Sequence, residues 1–454
     1  MQTLEKLQRL GMAASYDSCG GGKEKSFREY GIPYEYQNFI HNCTQSTENV
    51  FVNSMMRPKY KAQKGKNLYE RKELDSNQLK EIRNKMTMLS PKTENEKLNK
   101  ANKCLLVKVL QDNSCVHDCK YCLNSACKKT TKTSLEPNEL ATSFEYLWKR
   151  GYTTGLFLSS AVHESPENST EKMIASARLL RERGYTGYIH MKVLPETPEY
   201  LIKEMALYAN RLSVNVESAT TQGMQELSNT KNYKEGILRR INSLDKIKRD
   251  ADKQRTSFGN SSSCWFCDTN EVRNGYDYRF KSFTTQLIIG ANEETDKEVL
   301  ERMNSLYSET SLYRTYFSAF APVKDTPLQN KNPESKVREH RLYEVDWLLR
   351  IYGFDKKTIS LGLSEKGNFS LGCDVKQSIA IANKQLFPLD LNSCTREELL
   401  LVPGFGPKTV DKIIEVREQK KIKELQDLIK VGVRINKAKS YLNIEGKQTN
   451  LLSY

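Results

Sequence analysis

The stretch LLVKVLQDNSCVHDCKYC, Leu105 to Cys122, decides how the rest of the chain is read. Its first six residues, apolar except for Lys108, form a run of strand length. The chain then turns polar and places Cys115, Cys119 and Cys122 at C-x-x-x-C-x-x-C spacing. A short buried strand that ends in a loop of chemically active side chains is the grammar of parallel α/β proteins, whose working loops follow the strands.

Outward from this point the same pattern recurs. GLFLSSAV (Gly155 to Val162), YIHMKVL (Tyr188 to Leu194) and RLSVNVES (Arg211 to Ser218) read as further buried strands. FTTQLIIGA (Phe283 to Ala291) and YRTYFSAFAPV (Tyr313 to Val323) continue the series. Helical periods lie between them, over Pro137 to Arg150, Thr170 to Arg183, Pro198 to Ala209, Asp296 to Ser308 and Arg341 to Tyr352. Pro137 and Pro198 suit first-turn positions, and Gly151 and Gly184 suit helix ends. At least six strand–helix units predict an α/β fold, a partial or full (β/α) barrel over residues 101–355. A doubly wound open sheet is the alternative that periodicity leaves open.

Residues 233–281 read as a polar insertion after the fourth unit. Residues 1–100 read as a polar and basic extension with partial order, 356–388 as a connector, and 389–445 as an all-α unit of different character.

Three thiolates at this spacing can hold three irons of a four-iron, four-sulfur cluster and leave the fourth iron open to a chelating molecule. Zinc is the rival and needs a fourth ligand, for which Cys127 and His117 are candidates. Buried free thiols are the third reading. Cys264 and Cys267 form a separate C-x-x-C in the polar insertion, which Cys373 or Cys394 would have to complete as a metal site. Cys19 and Cys104 have no assignment.

Composition supports an intracellular, cytoplasmic and soluble protein. The 454 residues include 11 cysteines, and the opening MQTLEKLQRLG lacks the apolar core of a secretion signal. No run reaches the roughly 20 apolar residues of a membrane span. Lys and Arg exceed Asp and Glu by 71 − 56 = 15, a bias that favours polyanionic partners, nucleic acid first.

The C-terminal unit makes that partner more specific. Leu399-Leu-Leu-Val-Pro-Gly404-Phe-Gly406-Pro-Lys408-Thr409-Val-Asp-Lys412 joins two helical periods through a turn with two glycines. It resembles the helix-hairpin-helix, which grips the DNA backbone with N–H groups at a helix start, with Lys408 and Lys412 adding charge. A weaker copy follows around Gly432, where Arg434 replaces the second glycine and packing becomes the main expectation.

The cysteine motif, with Tyr121 before its third thiol and a strand ahead of it, resembles the radical S-adenosylmethionine (SAM) superfamily. The whole chain resembles its putative DNA modification and repair members that carry a C-terminal helix-hairpin-helix. YDSC at Tyr16, GLFLSSAVHESP, GYIHMKVLP, RLSVNVE and FPLDLN carry that likeness alongside the cysteine stretch.

The resemblance implies a [4Fe-4S] cluster on Cys115, Cys119 and Cys122, with SAM on its open iron. Tyr121 would lie near the adenine, and Ser159 and Ser160 near the SAM amino group. Ser213, Asn215 and Glu217 would meet the ribose and carboxylate, and Ile288 and Gly290 the adenine. His190 and Lys192 share a face of the third strand, from which they would either point at SAM or substrate or serve a solvated or structural role. DNA contacts fall to Gly404, Gly406, Lys408, Thr409 and Lys412. An external electron donor is required, and a uracil-DNA-glycosylase-like protein is an implied partner. The chain departs from the pattern at Ala161, usually Gly, and in KSFTTQLIIGA, which lacks the usual Pro-Ala-Gly start.

Overall fold

The computed structural model describes residues 6–7, 9–11, 106–128, 131–151, 153–257 and 279–448. Most of the N-terminal extension, Cys19, Cys104 and the segment with Cys264 and Cys267 lie outside these residues. The described residues fall into two compact units. The first comprises Met1–Asn292 with Thr310–Glu334, and the second Glu293–Glu309 with Ser335–Tyr454.

The first unit is built on six parallel strands: β1 (Leu106–Leu110), β2 (Gly155–Ser159), β3 (Tyr188–Lys192), β4 (Arg211–Ser213), β5 (Ser282–Ile289) and β6 (Arg314–Ala319). They lie in the order 1-2-3-4-5-6, every neighbouring pair parallel. A doubly wound sheet reverses direction at a switch point, and this one never does. With β1 and β6 both left as edges among the described residues, the sheet is a partial (β/α) barrel.

Both faces are buried, as parallel sheets require. One face is apolar: Val107, Val109, Leu156, Leu158, Ile189, Met191, Leu212, Phe283, Leu287 and Phe317 are all at most 5% exposed. The alternate residues line the inner face and are largely polar.

Local signals set the helix starts. α1 (Pro137–Lys149) has proline in its first turn and a capping box between Glu136 and Glu139. α2 (Pro166–Glu182) begins four residues earlier than its apolar period suggests, because Ser165 caps it by accepting from Asn168 N. α3 (Glu199–Tyr208) has Pro198 at its N-cap rather than inside the first turn. Gly151 and Gly184 follow α1 and α2 with φ of 74° and 83°. A short helix, α4 (Thr221–Leu227), follows β4 with Thr220 as its cap.

The expected polar insertion is in part structural. A π-helical turn, Tyr233–Leu238, runs into α5 (Arg239–Ser257). Ile237, Ile241, Leu244, Ile247 and Ala251 are buried along one stripe at spacings of three and four. The dense charge on the opposite face hides that stripe when the segment is read by composition.

The second unit contains α6 (Asp296–Glu309), α7 (Lys336–Arg350), α8 (Lys356–Ser360) and α9 (Val375–Ala382). The expected connector, 356–388, therefore carries two of its helices. α10 (Arg396–Leu401), α11 (Pro407–Gln419) and α12 (Leu425–Lys430) follow around a core of Leu391, Leu399, Val402, Phe405, Val410, Ile413 and Leu428. The unit is not wholly helical. β7 (Leu389–Asp390), β8 (Leu442–Ile444) and β9 (Lys447–Gln448) form a small sheet in that order, β8 running parallel to β7 and antiparallel to β9.

Candidate metal centre

The cysteine loop leaves the end of β1 and is pinned to its neighbours by the backbone. Val116 N donates to Val162 O (2.9 Å), Lys120 N to Leu227 O (2.9 Å) and Ala161 N to Asp112 O (2.9 Å). The loop therefore sits on the carboxyl ends of the strands, the working end of this fold. Cys119 is buried, Cys115 and Cys122 are half-buried, and Cys127 is exposed.

Asp118 does most to shape the surroundings of the thiols. Its carboxylate accepts from Ser228 Oγ (2.5 Å), Asn229 N (3.1 Å), Thr230 N (3.3 Å) and Thr230 Oγ1 (2.9 Å). Burial works against its charge, but the hydrogen bonds from Ser228, Thr230 and Asn229 hold the carboxyl far below its ordinary range. His117 Nδ1 lies 3.1 Å from Thr230 Oγ1. This clamp fastens the segment after α4 to the cysteine loop and brings in Lys231.

Lys231 is the residue that sequence reading missed. Its side chain is 9% exposed, its Nζ lies 3.5 Å from Glu217 Oε1, and it donates to the Tyr121 hydroxyl (3.3 Å). Burial would lower its pKa, but Cys119, Glu217, Cys122 and Cys115 act together to raise it well above the usual range. A fixed cation thus stands among three thiols and one carboxylate. Nothing in LSNTKNY marks this lysine, which lies more than 100 residues from the cysteines and belongs to no periodic segment.

Without a metal, Cys119 and Cys122 are poor acids. Burial pushes Cys122 up to about 12, with Cys119 next in effect, and raises Cys119 despite Lys231. Burial and then Lys231 bring His117 down to about 4, so its imidazole is neutral at pH 7. A soft, positively charged group bound to the thiolates would reverse that balance, since coordination stabilises the deprotonated sulfur.

The donor set fits an iron–sulfur cluster: three thiols on one loop, compensating positive charge from Lys231, and no competing carboxylate on the loop beyond the clamped Asp118. Among the described residues, no three His, Cys, Asp or Glu side chains gather as one metal ion would need.

Other predicted residues share this end of the sheet. Glu217 is 7% exposed and adopts a left-handed φ of 66°, a strain of about 1–3 kcal/mol for a non-glycine residue. Its Oε2 has no partner, and Asn215 Nδ2 stands 3.4 Å from its Oε1. Ser159 and Ser160 are buried at the end of β2, and Ser160 Oγ is also unpartnered. Ile288 N donates to Glu217 O (2.8 Å), tying β5 to this rim. Gly290 has φ of 81°, and a Cβ there would come within 2.6 Å of Glu334 Cβ.

Ser213 lies deeper, with its Oγ 2.8 Å from His190 Nε2. Lys192 is adjacent in register to Ser213. Unpartnered acceptors and hydroxyls at the rim form a polar cradle beside the thiols, able to take the charged ends of a small zwitterion.

In the second unit, Gly404 turns at φ 89° between α10 and α11, and Gly406 caps α11 with Pro407 in the first turn. Phe405 between them is 1% exposed and anchors the turn in the core. Lys408 and Lys412 are exposed, Thr409 is half-buried, and Lys412 Nζ lies 3.8 Å from where a Gly432 Cβ would stand. No second hairpin forms. After Gly432 the chain buries Val433, Ile435 and Ala438 and enters a 3-10 turn, Lys439–Tyr441.

These features define a parallel half-barrel with a thiol loop at its working end. No protein-family model matches the chain, and no curated protein matches it. Among solved structures it is similar to methylornithine synthase PylB, with 14% identity, 54% of this chain and 61% of that one covered, and a TM-score of 0.39. It is also similar to HydG, a maturase of the [FeFe]-hydrogenase, with 10% identity, 72% and 79% covered, and a TM-score of 0.41. A third is the radical S-adenosylmethionine methyltransferase TsrM from Kitasatospora setae, with 14% identity, 52% and 39% covered, and a TM-score of 0.31. Likenesses this slight do not bear on activity. Among the described residues no helix is long and apolar enough to cross a membrane.

Proposed function

We propose that this chain is a radical SAM enzyme that acts on DNA. The observation that carries the reading is the set of three thiols, Cys115, Cys119 and Cys122, placed by the loop after β1 beside the buried Lys231 at the carboxyl end of a parallel half-barrel. These thiolates hold a [4Fe-4S] cluster. A cluster held there with SAM would supply reductive cleavage of the sulfonium, one electron from an external donor breaking the S–C5′ bond to leave methionine and a 5′-deoxyadenosyl radical.

The chain's own residues do the rest. Lys231 and Glu217 fix charge beside the thiols, Ser160 and Glu217 offer unpartnered polar atoms to the cofactor, and the walls of the half-barrel exclude water from a reactive species.

DNA as substrate is supported by the net charge of +15 and by the Gly404–Gly406 turn, whose exposed lysines suit backbone phosphates. A target base has to leave the stack to be reached, so single-stranded or flipped nucleotides are the expected form. A uracil-DNA-glycosylase-like partner rests on the family resemblance alone.

The test is iron content and 5′-deoxyadenosine release in anaerobically reconstituted protein with a strong reductant, with and without DNA. Release that rises with DNA supports both parts. Release indifferent to DNA retains the radical reading and removes DNA, whereas a loaded cluster with no release removes the enzyme.

A further inference from the structure

The Gly404–Gly406 turn of the second unit is braced from behind by side chains outside it, one for each residue. A Cβ on Gly404 would come within 3.1 Å of Lys437 Cβ, and one on Gly406 within 3.0 Å of the Tyr352 hydroxyl. Between them, the Phe405 carbonyl accepts a hydrogen bond from Lys376 Nζ, which reaches across from α9.

A neutral donor would serve a carbonyl as well, yet this one is charged. Lys376 is 8% exposed, and besides the Phe405 carbonyl its ammonium meets the Tyr352 ring, 5.1 Å from its centre. Among the described residues it forms no ion pair. Asp374, the acid that acts on it, pairs with Lys437 (3.6 Å) and accepts from Gln377 N (2.8 Å) to cap α9. Burying a charge without a paired anion costs stability that a neutral donor would not.

The backbone carries this charge to the outside of the turn. The Phe405 oxygen and the Gly406 N–H belong to one trans peptide, so they point in opposite directions. Lys376 holds the oxygen inside, and the N–H faces the open side, where Gly404 and Lys408 are exposed. Among the described residues nothing accepts from Gly406 N or Lys408 N. Both stand at the start of the 13-residue α11, whose dipole favours an anion. An ammonium on the oxygen of a peptide polarises it and strengthens its N–H as a donor.

We propose that Lys376 is a positioning residue of the DNA site: from inside the unit it fixes and polarises the Phe405–Gly406 peptide, and a backbone phosphate on the Gly406 and Lys408 N–H groups supplies the anion it lacks. The assignment rests on the DNA reading above and adds to it a residue from outside the hairpin.

The signature is a pH dependence of binding. Burial brings Lys376 down to about 7. A phosphate at the turn favours the protonated amine, so this contribution is fully present below pH 7 and is lost as pH rises beyond it. The other charged groups on this side are Asp374 and Lys437 and, on α7, Glu344 with its partners Arg341 and His340. Burial holds Tyr352 and Tyr441 above the usual phenol range, so both stay neutral. Imidazole is the other side chain able to exchange protons near neutrality, which makes His340→Gln the control.

The experiment is a fluorescence anisotropy titration of the full chain with one labelled single-stranded oligonucleotide, at fixed ionic strength, from pH 6 to 9. Wild type is expected to bind about fivefold more tightly than Lys376→Met at pH 6, the gap closing to less than about twofold at pH 9. Lys408→Met should weaken binding without changing the profile, and His340→Gln should leave the profile as it is. A residue that only held the fold would change affinity by one factor at every pH. Parallel profiles for wild type and folded Lys376→Met would therefore overturn the assignment and leave the DNA reading standing. Should Lys376→Met fail to fold by circular dichroism, a wild-type profile that is flat, or that His340→Gln abolishes, overturns it instead. No binding by the wild type at any pH would overturn the DNA reading and the assignment with it.

Discussion

At the scale of single residues, the place of Lys231 depends on Asp118. Asp118 makes no contact that requires a metal, yet it holds the Ser228–Thr230 segment and so sets the position of the cation beside the thiols. Asp118→Ala takes the acceptor from four donor groups in a half-buried turn, and leaving them unsatisfied should cost about 1–3 kcal/mol. The expected outcome is a lower melting temperature and less iron retained per chain after reconstitution, measured by denaturation and by iron assay. Unchanged iron retention would mean that Lys231 reaches its place without the clamp.

At the scale of elements, the turn before α11 is the most exacting backbone. Gly404 needs φ of 89°, and a Cβ there would come within 3.1 Å of Lys437 Cβ. Gly404→Val should therefore cost about 1–3 kcal/mol in the second unit and weaken retention of single-stranded DNA in a filter-binding assay. Iron loading of the thiol loop should not change. Loss of iron together with DNA would show that the variant unfolds the whole chain.

α5 teaches the complementary lesson. The stripe that runs from Ile237 in the π-helical turn through Ile241, Leu244, Ile247 and Ala251 of α5 was present in the sequence, but a composition-based reading saw only the charges around it. Helical period outweighs composition wherever three or more buried positions recur at three and four.

At the scale of the molecule, a buried lysine links stability to pH. In the second unit Lys376 is 8% exposed, bonds the Phe405 carbonyl and lies 5.1 Å from the Tyr352 ring. Burial lowers its pKa to about 7, against the pull of Asp374. In the unfolded chain it titrates near its ordinary value, so between about pH 7 and 10.5 the unfolded state binds more protons and stability rises with pH. Below pH 7 the penalty for burying the charge is fully present. Melting temperatures of the wild type relative to Lys376→Met should thus climb over that window. A constant difference between the two would exclude the linkage.

The sequence by itself determined the strand series, the thiol spacing and the glycine turn, because each is written in residues close along the chain. Apolar runs bounded by turn residues specify strands, C-x-x-x-C-x-x-C puts three thiols on one loop, and two glycines two apart specify a tight helix start. Tertiary structure alone decided which sheet those strands build. Strand order depends on which edges meet, and the unbroken order from β1 to β6 selected the half-barrel over the doubly wound sheet. It also decided the surroundings of the thiols. Lys231, Glu217 and Asp118 meet there only because parallel crossovers return distant loops to one end of the sheet.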